Sequence, residues 1–259
     1  MSFKFRNQTP PVDPQDLVKD AAKLLPDRSR RRFLGQITSL GALAALTGCD
    51  IVNGTSAEDA LRLISDWNDW VQARLFYPGK LALTYPDSAI TDPFPFNAFY
   101  PPDQAPKVNG ERWQLYVEGA VQDRRHWTLA DLIRLPQETQ VTQHICIEGW
   151  SAIGKWTGVP MHIFLQRIGA DTRRKYVNFI CADRYETSLD MATALHPQTQ
   201  MTLRFGGEAL PRPYGFPMKV RVPTKLGFKN PKHVVQISIT DDFVEGFWER
   251  RGYNWFAGL

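Results

Sequence analysis

Nineteen prolines and eighteen glycines are spread along the 259 residues, and they divide the chain into runs too short for a bundle of long helices. Short elements joined by many turns are therefore expected. Apolar residues at 43% and charged residues at 22% are those of an ordinary globular chain, which excludes a disordered polymer or a fibre. A chain of this length can bury a substantial core in one large or two small domains. The formal charge of +4 suggests a nucleic-acid partner until it is located. Residues 1–48 carry eight Lys/Arg and four Asp/Glu, whereas residues 49–259 carry twenty-three of each. The body of the chain is neutral, so no nucleic-acid partner is expected.

The excess charge belongs to a distinct N-terminal segment. Ser29-Arg30-Arg31-Arg32-Phe33-Leu34 places paired arginines before an apolar run, 33–48, that Gln36, Thr38 and Ser39 interrupt. These sixteen residues are fewer than the roughly 20 that span a bilayer as a helix. Basic flank, short apolar run and small residues resemble a twin-arginine export signal, a route for proteins already folded around a cofactor. Leu46-Thr47-Gly48-Cys49 resembles a lipobox with Cys49 as the lipidated residue, and Asp50 behind it resembles a signal to stay on the inner membrane. The expected destination is the periplasm, with membrane attachment through lipid at Cys49. Residues 1–48 are read as the signal, 49–105 as a helix followed by a proline- and aromatic-rich segment, and 106–259 as the functional domain.

Along the mature chain, Ser56 caps a helix on which Leu61, Ile64, Trp67, Val71 and Leu75 recur at helical spacing, predicting one face packed on the core. The stretch through Tyr100-Pro101-Pro102 reads as a surface loop. Strands are expected at 113–119, 139–147, 175–182, 201–205, 218–222 and 234–240. Thr128 caps a short helix before Pro136, and Pro160 opens another through 164–168. Short strands and short helices without a βαβ rhythm predict an α+β fold with a mainly antiparallel or mixed sheet.

Cys146 and Cys181 remain once Cys49 is set aside. They are either a disulfide or include a thiolate ligand to a metal; no Cys-x-x-Cys or phosphate-loop pattern is present. Cys146 ends a strand, with Glu148 two residues on and Trp150 four on. That placement is either a packed strand end or a thiolate presented to a pocket. Between Ala209 and Thr240 stand Arg212, Lys219, Arg221, Lys225, Lys229 and Lys232 without one acidic residue. The stretch is either a solvated basic face or a set of proline- and glycine-rich loops around an anion such as a cofactor phosphate.

Taken in order, these segments resemble the sulfite-oxidase-like family of molybdopterin oxidoreductases from about residue 106 onward. The resemblance rests on Cys146-Ile147-Glu148-Gly149-Trp150-Ser151, Trp156-Thr157-Gly158-Val159-Pro160, Ala209-Leu210-Pro211 with Gly215-Phe216-Pro217-Met218, Val222-Pro223-Thr224-Lys225-Leu226-Gly227-Phe228-Lys229 and Phe247-Trp248-Glu249-Arg250-Arg251-Gly252-Tyr253. Upstream, Asn97-Ala98-Phe99-Tyr100 matches an Asn-x-Phe-Tyr run of the family's exported sulfoxide-reducing branch. The resemblance implies the molybdopterin-binding fold of that family, one pyranopterin, and Cys146 as the protein thiolate on molybdenum. It implies Asn97 and Tyr100 near the metal, with the phosphate held by Asn230, Pro231 and Lys232. Cys181, Tyr214 and Lys219 stand at cofactor-contacting positions but differ from that branch, which has threonine, asparagine and arginine there. Lys219 keeps the charge and loses the planar fork.

Sulfite oxidases follow the cysteine with Gly-Asn and use arginines on the sulfite anion. Glu148 and Trp150 stand here instead, favouring a small neutral S- or N-oxide, with Glu148 or Tyr100 handling protons. The resemblance implies a separate electron-transfer partner, a membrane haem protein. A sulfite-type dehydrogenase, or a non-catalytic lipoprotein keeping the fold, are the alternatives.

Overall fold

The computed structural model describes residues 57–259 apart from 76 and 78. By contacts the chain divides into units 1–61 and 62–259, and the second carries everything that follows. The export segment, Cys49 and Ser56 lie outside the described residues.

Two sheets form the body. The first has the order β2-β1-β10-β5-β6, from β1 (Gln114–Gly119), β2 (Trp127–Thr128), β5 (Tyr176–Cys181), β6 (Glu186–Asp190) and β10 (Val234–Thr240). The second runs β3-β4-β7-β8, with β9 also on β7, from β3 (Glu138–Ile145), β4 (Ser151–Pro160), β7 (Gln200–Phe205), β8 (Glu208–Ala209) and β9 (Lys219–Arg221). The β1–β10 pair is parallel; the other strand pairs among the described residues are antiparallel. This is the α+β class with mixed sheets expected from the sequence.

Alternation makes the strands. In β1 Leu115 and Val117 point inward between exposed neighbours, and they join Val177, Phe179, Ile237 and Ile239 of the same sheet. Met201, Leu203 and Val220 of the second sheet close the same core. Helix α2 (Leu129–Ile133) starts from a capping box: Asp131 N–H donates to Thr128 Oγ1 at 3.2 Å and Thr128 N–H donates to Asp131 Oδ2 at 3.0 Å. Helix α3 (Met161–Arg167) drives Met161, Phe164 and Leu165 into the core. Pro160 is its N-cap and the last residue of β4, not its first helical residue. Helix α4 (Met191–Ala194) is capped by Asp190, which accepts from Thr193 N–H.

One strand was not expected and one expectation is corrected. Residues 151–160 form a ten-residue strand, β4, where the sequence shows glycines, a lysine and a proline. Helix α1 (Ala57–Leu75) forms as expected, but the face expected to pack inward is turned out: Ile64, Trp67 and Leu75 are 61%, 53% and 78% exposed. Its polar side holds the body instead. Asp69 accepts from the backbone N–H groups of Trp255 and Phe256 at 3.2 and 2.5 Å, and Gln72 Oε1 accepts from Gly258 N–H at 3.1 Å. Directional bonds to the C-terminal segment therefore decided the rotation of this helix. The side chain of Leu61 lies outside the described set.

Candidate functional site

A cleft of about 270 Å³ opens beside the β3–β4 hairpin. Ile145 pairs with Ser151, so residues 146–150 form the connecting loop. Cys146 N–H donates to Trp150 O at 2.9 Å and Gly149 N–H to Cys146 O at 3.3 Å. Gly149 has φ +88° with open space around its α-carbon, so glycine is needed there for backbone conformation alone. The turn places Cys146 in the cleft wall together with Ile147 and Glu148. Trp150 Nε1 donates to Glu148 Oε2 at 2.9 Å, which holds that carboxylate at the rim.

The segment after the predicted helix supplies Asn97, Phe99 and Tyr100 to the wall, and the loop before β10 supplies Asn230, Pro231 and Lys232. The structure thus brings together Asn97, Tyr100, Cys146, Glu148, Asn230, Pro231 and Lys232, which the sequence singled out from three separate segments. Lys232 donates to the carbonyls of Asn97 at 2.5 Å and Pro213 at 3.0 Å, tying two of those segments together. Asn230 spends its amide on structure. Its Oδ1 accepts from Arg221 Nη1 at 2.7 Å and Val222 N–H at 2.8 Å, and its Nδ2 donates to Leu226 O at 3.2 Å. From the cleft wall, its amide braces the loop.

Cys181, Tyr214 and Lys219 are not on the wall. Cys181 ends β5 in the main core, and both it and Cys146 are free thiols, so the disulfide reading is not realised. Tyr214 donates its hydroxyl to Phe94 O at 2.5 Å. Lys219 lies behind the cleft, 4.8 Å from the Trp156 ring centroid. Sequence reading missed Asp183 and Tyr185, which reach the cleft from the β5–β6 turn. Tyr100 donates its hydroxyl to Asp183 Oδ2 at 2.9 Å. Burial first, then the Asp183 charge, pushes the Tyr100 phenol well above its ordinary value, so it keeps its proton. Neither residue falls in a recognisable motif, and only the Tyr100 contact reveals Asp183.

The basic stretch proves to be largely interior. Lys219, Arg221, Lys225, Lys229 and Lys232 are buried, which excludes the solvated-face reading for them. Lys229 has Glu249 as partner at 2.5 Å and Lys225 has Asp190 at 3.9 Å. Lys219, Arg221 and Lys232 form no ion pair among the described residues. Burial lowers Lys219, pushes Arg221 down to about 9 and Lys232 down to about 8. His144 Nδ1 and His233 Nε2 are also buried without a partner. Arg221 and Lys232 donate only to neutral acceptors, and buried cations without a counter-charge, beside orphaned ring nitrogens, favour an anion opposite them. Together with a soft thiol in the adjoining wall, they fit a phosphate-bearing pyranopterin carrying a thiophilic metal. Gly227 lets this loop approach closely, since a Cβ there would lie 2.6 Å from His144 Nε2.

A pH effect follows. The folded-state value of Lys232 lies below its ordinary 10.5, at about 8, so the folded cofactor-free chain binds that proton less tightly than the unfolded chain. Its stability contribution is full above 10.5 and is lost as pH falls from 10.5 to 8. The expected size is on the order of 3 kcal/mol. Denaturant titrations of cofactor-free wild type and Lys232→Met should diverge across that interval; parallel curves would contradict the assignment.

Sheet order, thiol and buried cations define an oxidoreductase domain built for a pterin cofactor, and the comparisons agree. The family profile described as the oxidoreductase molybdopterin binding domain matches residues 103–248, and the chain belongs to that family. A protein of Azospira oryzae named as a protein-methionine-sulfoxide reductase subunit, YedZ1, is 53% identical over 94% of this chain and 93% of its own. The protein-methionine-sulfoxide reductase catalytic subunit MsrP of Ralstonia nicotianae is 33% identical over 50% of this chain and 44% of its own. Among solved structures, the sulfane dehydrogenase SoxCD of Paracoccus pantotrophus superposes with a TM-score of 0.51 at 22% identity. It covers 54% of this chain and 41% of that one, and shows the fold.

Proposed function

We propose that the chain is an exported reductase of S- and N-oxides, methionine sulfoxide among them, with Cys146 as the thiolate on molybdenum. The supporting observation is the charge layout of the cleft. Its wall carries Phe99, Tyr185, Phe228, Trp248 and Tyr253 together with Glu148 and Asp183. Its cation, Lys232, is already bound to two backbone carbonyls. A sulfite-like dianion would meet two acidic side chains and no free cation at the mouth, whereas a neutral oxide with apolar substituents would meet aromatic rings. The sulfoxide reductases named above support the same direction.

When bound, the cofactor supplies two-electron oxygen-atom transfer. The chain's residues do the remainder: Phe99, Trp248 and Tyr253 exclude water, Trp150 fixes Glu148, and Tyr100 holds a proton on Oη against Asp183. Burial raises the Cys146 thiol above its ordinary value, so the cysteine stays protonated until a metal takes its place. The twin-arginine pattern and Cys49 support periplasmic export and lipid attachment, and a separate membrane haem protein as electron donor completes the reading.

The test is turnover of the exported holoprotein with a reduced dye and methionine sulfoxide, dimethyl sulfoxide or trimethylamine N-oxide, beside sulfite with an oxidised acceptor. Oxide-dependent dye oxidation is expected. Sulfite oxidation without oxide reduction would overturn the proposal. Tyr100→Phe should lower kcat by about 10²-fold with little change in molybdenum content.

A further inference from the structure

Helix α1 is inverted relative to the body that carries it. Leu63, Ile64, Trp67, Trp70 and Leu75 are between 53% and 78% exposed, while Asp69 and Gln72 on the opposite side hold the C-terminal backbone. Tyr77, Leu81 and Leu83, which follow the helix in the chain, are also exposed, at 71%, 56% and 74%. Arg74 lies 4.9 Å from the Trp70 ring centroid, with its charge beside the same face. Stable monomers rarely present so much contiguous apolar surface to water.

We propose that this face is a membrane contact, with α1 lying in the plane of a phospholipid surface and Trp67 and Trp70 at headgroup depth. The proposal rests in part on the lipidation of Cys49 proposed above. Seven residues, 50–56, separate Cys49 from the helix, and a chain of that length reaches at most roughly 25 Å. A lipid on Cys49 would therefore keep α1 beside the bilayer. The face itself has the composition of an interfacial helix, aromatic and aliphatic outward with the polar side turned away. No described helix is long and apolar enough to cross a membrane, which suits an element that lies on one. The clamped C-terminal segment also lines the cleft through Tyr253, which places the site one segment away from the membrane.

The test uses the full holoprotein on phosphatidylcholine vesicles with brominated acyl chains, comparing wild type with Trp67→Ser/Trp70→Ser. Quenching of tryptophan emission is expected in wild type and is largely lost in the variant. The variant's partition into vesicles should fall about tenfold or more, with molybdenum content unchanged. Exposed Asp66 and Arg74 offset each other, so added salt or anionic lipid should change wild-type binding little. Flotation with equal quenching in both proteins would overturn the proposal while leaving the lipid anchor standing. No flotation of either would overturn both. Shielding of Trp67 on native membranes but not on protein-free vesicles would assign the face to a protein instead.

Discussion

Cys146→Ser leaves a folded chain that has lost at least about 10³-fold in oxide reduction, roughly 4 kcal/mol of transition-state stabilisation. The fold survives because the cysteine shapes its loop through the backbone: its N–H bonds Trp150 O and its carbonyl accepts from Gly149, and serine keeps both. The chemistry does not survive, because a hydroxyl is a hard and weakly acidic donor where a soft thiolate is required. Molybdenum per chain, the metal's optical spectrum, thermal midpoint and turnover should be measured together. Loss of turnover with an unchanged midpoint is expected. Full activity and an unaltered metal spectrum in the variant would remove Cys146 from the metal.

Glu249→Gln is expected to cost about 3–5 kcal/mol, because it leaves the Lys229 ammonium in the interior without its counter-charge. Lys229 Nζ stands 2.5 Å from Glu249 Oε1, and Thr187 Oγ1 donates to the same oxygen at 3.0 Å. For a domain of this size the thermal midpoint should fall by roughly 8–16 °C. The pair also joins two walls of the cleft, since Lys229 precedes Asn230 and Glu249 follows Trp248. Cofactor retention should therefore weaken along with stability. The double variant Lys229→Met/Glu249→Leu should recover most of the midpoint, because burying two apolar chains removes the desolvation cost of both charges. A single variant as stable as wild type would show that the pair contributes nothing.

β1 alternates plainly, and β5 and β10 form within a residue of the spans expected from residue order. β6 was not legible that way. Its Thr187 and Ser188 are buried polar residues, satisfied by Glu249 and by Val244 O, so no apolar period marks the strand. β4 hides behind Gly154 and Gly158, which read locally as a loop. A Cβ on Gly158 would lie 2.1 Å from Met201 O, a close approach that exists only once β7 is alongside. The thiol loop, the Asn97 and Tyr100 segment and Lys232 were legible as chemistry because, in that order, their motifs resemble those of a known family. Asp183 was not, since one carboxylate after a strand carries no pattern.

Residue order alone determined the α+β class, the cysteine at a strand end, the neutrality of the body and the amphipathic character of α1. Tertiary structure decided which way each of these faces. Amphipathicity states that a helix has two sides, but the side that meets the protein depends on the partners waiting there. In α1 the backbone N–H groups of Trp255, Phe256 and Gly258 take the polar side, because directional bonds to otherwise unmatched donors outweigh non-directional apolar contact at that position. The basic stretch teaches the same lesson in reverse. Its charge is plain in the sequence, yet whether Lys219, Arg221 and Lys232 meet water or a cofactor depends on the sheets that close over them. Burial is a property of the assembled layers, which no local run of residues contains.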